Sequence, residues 1–413
     1  NRYQYLRNFI VQGNTHHNVL FLLLVAFFIT APLKNSLNSI SIILLFLYSL
    51  LNYKNISLKK IIAFYSSYIY FIIGGVSVIY TTDTENGFTY LLTTIPFLLF
   101  PIVFSVITIN ETLLKKVLRV YISWICLLIL YSEISTIIDL LNDDKSLFLV
   151  FRKDYSYINL GSKINIHPPY MMLHVSFCII YLIVNFLKSG FNKTTSSIML
   201  FILFFYSVHL SSRLPIAAIS VISVVLLYKE LSVRVGKTRT IFILSASCLL
   251  LFFIMYNIRS TRYRFQELIG IQYSNGVYIK SGGLKLDQWR SGFEANNNVI
   301  FGNGIGDANT DIIESNYRNN LIKNAKLKYN AHNQYIQTYV GMGVFGVLAL
   351  LFVLYSLLLN SPANMLKTTA SALCVYLLIV FMTESYLERH HGVVFISFLT
   401  CLCNYKMGGD KTL

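Results

Sequence analysis

Apolar runs, each close to the length of about 20 residues that a membrane-crossing helix needs, recur along this chain with short polar connections between them. Twelve can be placed, at 18–33, 37–51, 60–80, 88–108, 117–138, 169–187, 196–210, 213–228, 240–257, 335–359, 368–383 and 392–405. The first two are short enough to form a helical hairpin that crosses incompletely, so the pattern predicts ten to twelve spans. One polar interruption, residues 258–334, is far longer than the others. The chain therefore divides into N-terminal spans (1–257), a long loop carrying the candidate chemistry (258–334) and C-terminal spans (335–413). The predicted class is an all-α polytopic membrane protein with one large extramembrane loop.

Composition sharpens this picture. With 55% hydrophobic and 13% charged residues and a mean hydropathy of +0.59, too little polar surface exists to cover a soluble core. All six cysteines (Cys126, Cys178, Cys248, Cys374, Cys401 and Cys403) fall inside apolar runs, which implies neither a disulfide framework nor a metal-ligand spacing. No cofactor motif appears. The first residues show no cleavable-leader pattern, which predicts insertion through the first span.

The net charge of +16 is divided in an informative way. Of the 34 basic residues, 17 lie in the termini and short connections of one side, 7 in those of the other and 10 in the long loop. Short connections set orientation, so both termini are expected in the cytoplasm and the long loop outside. The acidic turn at Thr81–Gly87 fits the outer side. Basic residues on the cytoplasmic side need no explanation beyond topology, and nothing points to nucleic acid. Those on the outer side do need one, and an anionic ligand supplies it.

Several residues could carry chemistry there. His332, in Ala331-His332-Asn333-Gln334-Tyr335, sits where the loop re-enters the membrane. It could accept a proton from a substrate hydroxyl near neutral pH, or the segment could simply cap the following helix through Asn333. Arg213 follows Ser211-Ser212 in a tight outer turn ahead of Pro215. It is either part of a phosphate cradle at a helix start or an arginine snorkelling to the interface. In the loop, Arg259, Arg262 and Arg264 read as headgroup contacts, whereas Lys285 and Arg290 flank Trp289 on an amphipathic helix over 284–296. Gly302-Asn303-Gly304-Ile305-Gly306-Asp307 lacks the strand and crossover of a dinucleotide site and reads as a tight turn needing positive φ. His167-Pro168-Pro169-Tyr170 opens a span, and Glu384, ahead of Glu388 and Arg389, could orient a basic partner or be an exposed loop charge.

In order and placement these segments resemble the O-antigen ligase and polymerase superfamily of bacterial inner membranes. The resemblance rests on His332-Asn333-Gln334-Tyr335 followed by Gly341-x-Gly343-x-x-Gly346, on the turn Gly302 to Asp307, and on Ser212-Arg213. His167-Pro168 and Thr383-Glu384-Ser385 are similar to Bacteroidetes-type members, and the likeness covers residue 160 onward. It implies a C-type glycosyltransferase fold that moves a glycan from an undecaprenyl diphosphate carrier to a sugar hydroxyl on the periplasmic face, with inversion and without a metal or cofactor. The acceptor is lipid A-core for a ligase and the next repeat unit for a polymerase, with the ligase favoured.

On this resemblance His332 is the base, or the group that orients the acceptor hydroxyl, and Arg213 stabilises the diphosphate. Asn333, Tyr335, Asp307, His167, Tyr170 and Glu384 are its supporting residues. One departure stands out. The family places an arginine about four residues before the loop tryptophan, where this chain has Lys285, so either Lys285 or Arg290 is expected as the second cation. A transporter is the competing class, but the predicted spans hold few ionisable residues and show no internal repeat.

Overall fold

The computed structural model describes residues 15–56, 61–152, 154–186, 192–257, 271–274, 277–280, 285–359 and 366–405. Arg259, Arg262 and Arg264 lie outside the described residues. In chain order the helices are α1 (Thr15–Thr30), α2 (Asn35–Leu51), α3 (Tyr65–Ser77), α4 (Thr84–Thr94), α5 (Pro96–Val106) and α6 (Glu111–Asn142). There follow α7 (Ile158–Ser162), α8 (Pro168–Phe186), α9 (Lys193–Leu210), α10 (Arg213–Val235) and α11 (Lys237–Asn257). The long loop folds as a hairpin of β1 (Ile271–Ser274) and β2 (Val277–Lys280), then α12 (Lys285–Glu294), α13 (Ala308–Arg318) and α14 (Ile322–Lys326). Finally come α15 (Gln334–Leu359), α16 (Lys367–Val380) and α17 (His390–Asn404).

Every apolar run is occupied by a helix. Among the described residues, six helical segments are long and apolar enough to cross a bilayer: α4 continued by α5, then α6, α8, α9, α10 and α15. Helices α1, α2, α16 and α17 are apolar but shorter. The hairpin, pairing Ile271 with Lys280 and Ser274 with Val277, departs from the all-α expectation. So does the helix around residue 90, which starts earlier than expected because Asp83 caps it, accepting from Asn86 N at 3.0 Å. It breaks at Pro96, which has no N–H to continue the ladder. Helix α6 likewise begins early, where Asn110 accepts from Leu113 N at 2.8 Å.

Lipid tails are as apolar as leucine, so packing detail and interhelical hydrogen bonds, rather than hydrophobic burial, hold such a bundle together. Phe398 of α17 is a centre of that packing. It stacks on Phe27 at 4.1 Å between ring centroids and meets Phe28, Phe100 and Phe104 edge-on at 5.2 Å. Trp124 donates to Ile29 O at 2.9 Å, and Tyr121 bonds His174 at 2.7 Å across to α8, the helix enclosed along nearly all of its length.

The end of the bundle that carries the long loop is tied down by polar contacts. Gly343, at φ +61, interrupts α15 and lets the chain 296–304 lie against it. Asn303 N bonds Val340 O (2.8 Å), Gly304 N bonds Gly341 O (3.1 Å) and Val344 N bonds Val299 O (2.9 Å). Gly302 and Gly304 take the positive φ that the sequence predicted for this turn, at +75 and +100. Asp307 then bolts the turn to the start of α4. Its carboxylate accepts from Thr82 N and Thr82 Oγ1, both at 2.7 Å, and from Asp83 N at 2.8 Å.

Burial opposes ionisation of Asp307, but these three donors outweigh it and hold the carboxyl below its ordinary value. A depressed folded-state pKa contributes stability above the unfolded value, which is lost as pH falls through the folded one. Asp307→Asn is therefore expected to cost about 2 kcal/mol or more. In detergent-solubilised protein its thermal midpoint should fall several degrees below wild type at pH 7, with the gap narrowing below about pH 4. Equal midpoints at pH 7 would remove the latch.

Candidate functional site

One cleft of about 1180 Å³ opens where the loop meets the helix ends, roomier than most small-molecule pockets. Its lining brings together residues far apart in sequence: His167, Arg213, Lys285, His332 and Glu384 all contribute.

Each is placed by local chain chemistry. Ser211 adopts a left-handed conformation (φ 50) and Ser212 an extended one, so the chain reverses sharply and Arg213 falls in the first turn of α10. Pro215 lies in the same turn, where a missing N–H costs nothing. Pro168 and Pro169 start α8 in the same way, with His167 O accepting from Tyr170 N and Met171 N. His167 stands just outside that helix. Lys285 is the first residue of α12, and its Nζ donates to Thr383 O at 3.3 Å.

His332 is held from both sides by asparagines. Asn330 Oδ1 accepts from His332 N at 3.0 Å, and Asn333 Oδ1 accepts from Tyr335 N at 3.0 Å and Ile336 N at 3.2 Å. Between these two turns His332 is forced to φ 45, a strained conformation for a residue with a β-carbon and one concentrated at functional sites. Its ring meets Tyr329 edge-on at 5.3 Å. Its Nδ1 lies 3.5 Å from a Glu384 carboxylate oxygen, an ion-pair distance too long and poorly directed for a hydrogen bond.

The electrostatics follow from this crowding. Burial opposes ionisation of Glu384, yet His332, Lys285 and His167 outweigh it and hold the carboxyl below its usual range. Burial lowers His167, with Glu384 opposing the shift and Arg389 and His332 adding to it. Burial also pulls Lys285 down to about 8, against the pull of Glu384 and with that of Arg213. This part of the cleft thus sets the Glu384 carboxylate among several cationic or basic groups, an arrangement suited to an anionic ligand.

The other candidate residues fall elsewhere. Arg290, expected as an alternative second cation, is exposed and pairs with Glu294 at 2.8 Å outside the cleft. Asn333 caps α15, and Asp307 latches the 302–307 turn. The hydroxyl of Tyr335 donates to Leu378 O at 2.9 Å, and that of Tyr170 reaches Ser385 O at 3.4 Å; neither residue lines the cleft.

Three glutamines that were not candidate site residues brace the cleft, and one of them, Gln288, lines it. Gln288, buried, donates to Asn330 O at 2.9 Å and ties α12 to the His332 turn. Gln337 donates to Asn309 Oδ1 at 2.9 Å while its own oxygen accepts from Ala331 N at 3.1 Å. Gln334 accepts from Leu387 N at 2.7 Å, joining α15 to the turn of Glu388 and Arg389, both of which line the cleft. The cluster of Asn and Gln within eight positions of His332 was the available sequence signal.

A family model described as O-antigen ligase matches residues 198–351. The matched stretch contains Arg213, Lys285 and His332, whereas His167 and Glu384 lie outside it. No curated protein matches the chain.

Proposed function

We propose that this chain, whose residues 198–351 match the family model described as O-antigen ligase, is a member of that superfamily and transfers a glycan from undecaprenyl diphosphate to a sugar hydroxyl of lipid A-core. The observation that carries the reading is the convergence of Arg213 and Lys285 on the cleft that also holds the His332–Glu384 pair. A diphosphate leaving group needs fixed positive charge where its electrons arrive, and two cations from separate helix starts supply it.

The proton inventory closes on the same residues. Glu384 beside Nδ1 favours the tautomer protonated there, which leaves Nε2 of His332 to accept a proton. The acceptor oxygen bonds the anomeric carbon from the face opposite the leaving group, inverting it. The carbon–oxygen bond to the diphosphate breaks, and its electron pair stays on the phosphate oxygen beside Arg213 and Lys285. The hydroxyl proton passes to His332, and Glu384 stabilises the imidazolium that forms. In this reading the cleft faces the periplasm of a bacterial inner membrane with both termini cytoplasmic, in keeping with the basic residues of the short connections.

A lipopolysaccharide gel from a strain deleted for this gene tests the reading. Loss of all glycan-bearing species, with carrier-linked polymer accumulating and wild-type complementation restoring the ladder, is the expected result. A single repeat unit on core would instead mean a polymerase. An unchanged ladder would sink both.

A further inference from the structure

The cleft is chemically two-sided, and the cations occupy only part of it. Helix α4 presents Asn86, Thr89, Tyr90 and Thr93 to the lining, spaced along one helical face, while its Phe88 and Leu92 are exposed away from the cleft. The first turn of α13 adds Asn309, and the turn before α17 adds Glu388. None of these residues is basic, although Arg389 follows Glu388 in the same turn, so this wall carries less fixed positive charge than the side of Arg213 and Lys285.

Its hydrogen-bonding sense is also one-sided. Thr89 Oγ1 donates to Glu85 O at 3.0 Å and Thr93 Oγ1 donates to Thr89 O at 2.9 Å, so both hydroxyl protons are used within α4. What they present to a ligand is oxygen lone pairs. One N–H of the Asn86 side-chain amide donates to Asp83 Oδ2 at 2.6 Å, leaving the other N–H and the carbonyl oxygen for a ligand. The Glu388 carboxyl, which burial pushes up to about 7, offers an accepting carbonyl oxygen in either protonation state. A wall in which acceptors predominate suits a neutral ligand rich in O–H donors.

We propose that this wall, built on Thr89, Thr93, Asn86 and Glu388, is the subsite that binds the sugar of the acceptor through its hydroxyl protons. The assignment rests on the glycosyl-transfer reading given above. It also follows from the displacement itself: the attacking hydroxyl approaches the anomeric carbon from the side away from the diphosphate. The acceptor must therefore be held by groups other than the cations that take the leaving group. Asn309 lines the same wall, its oxygen occupied by Gln337 and its side chain favouring the ionised form of Glu388.

The test uses the full chain in nanodiscs, with a double variant Thr89→Val/Thr93→Val and a single variant Glu388→Gln. Valine keeps the shape of threonine and removes the oxygens; glutamine keeps the shape of glutamate and replaces an acceptor with a donor. Two measurements are made: transfer from undecaprenyl diphosphate-linked glycan to rough lipopolysaccharide, and calorimetric binding of core oligosaccharide released from that lipopolysaccharide. Each variant is expected to raise the acceptor KM about tenfold, the loss of two neutral hydrogen bonds, and to weaken oligosaccharide binding equally. The donor KM should stay within about twofold, a separation that general misfolding would not give.

An unchanged acceptor KM in both variants, or a rise confined to the donor KM, overturns the subsite while leaving the transferase reading in place. Oligosaccharide binding that the variants weaken, with no transfer by wild type, upholds the subsite and overturns the transfer. Neither binding nor transfer by wild type overturns both.

Discussion

His332→Ala is expected to reduce glycan transfer by about a hundredfold to ten-thousandfold, the range over which a positioned general base contributes. Insertion and folding should be unaffected. The separation is sharp because the backbone and side chain of this residue have different tasks. Its N–H is held by Asn330, and that bond survives in alanine. Its ring meets the edge of Tyr329 and the Glu384 carboxylate at a partly exposed position, so truncation opens no buried core. Alanine shares the strained backbone conformation and adds no new penalty. Glu384→Gln should also lower transfer, because an amide cannot stabilise the charged imidazole and its N–H group beside Nδ1 favours the wrong tautomer. Transfer measured alongside circular dichroism and size-exclusion profiles checks both variants. A wild-type kcat in His332→Ala would remove this histidine from the chemistry.

Much of this arrangement could be read from the chain before any coordinates, and the boundary is instructive. Apolar periodicity located the helices, because membrane helices satisfy their backbone internally and leave little choice of structure. The glycines at 302 and 304 were legible as positive-φ positions, where a β-carbon would strain the backbone. The latch made by Asp307 was not legible, because its three donors come from Thr82 and Asp83, more than two hundred residues away. No local pattern encodes such a partner.

Arg290 was ambiguous for a related reason. It lies five residues after Lys285, well over a full turn away, so the two cannot face the same direction on one helix. Sequence alone does not say which face meets the cleft; the contact of Lys285 with Thr383 O and the pairing of Arg290 with Glu294 decide it. The polar face of α4 was hidden in another way. Its threonines are diluted among Phe88, Leu91 and Leu92, and the expected span began at 88, inside the helix rather than at its cap.

Lys285 carries the second large effect, and its pH dependence distinguishes it from a structural lysine. Removing the charge in Lys285→Met should lower kcat about a hundredfold to a thousandfold, as loss of one group stabilising transition-state charge typically does. In the wild-type protein burial holds this ammonium at about 8, with Arg213 pushing the same way and Glu384 opposing. The cation is therefore present below that value and lost as pH rises through it. The kcat/KM profile, which reports the free enzyme, should fall on its alkaline side near pH 8. A bound diphosphate favours the charged form, so the corresponding fall in kcat should lie at higher pH. Arginine stays protonated in proteins, so Lys285→Arg should abolish the alkaline fall in kcat/KM while keeping measurable turnover. Arg290→Ala, with its side chain paired to Glu294 at the surface, should remain within about twofold of wild type, as surface substitutions do. An alkaline fall that persists unchanged in Lys285→Arg would assign it to another group, and full activity in Lys285→Met would leave Arg213 as the cation that meets the leaving group.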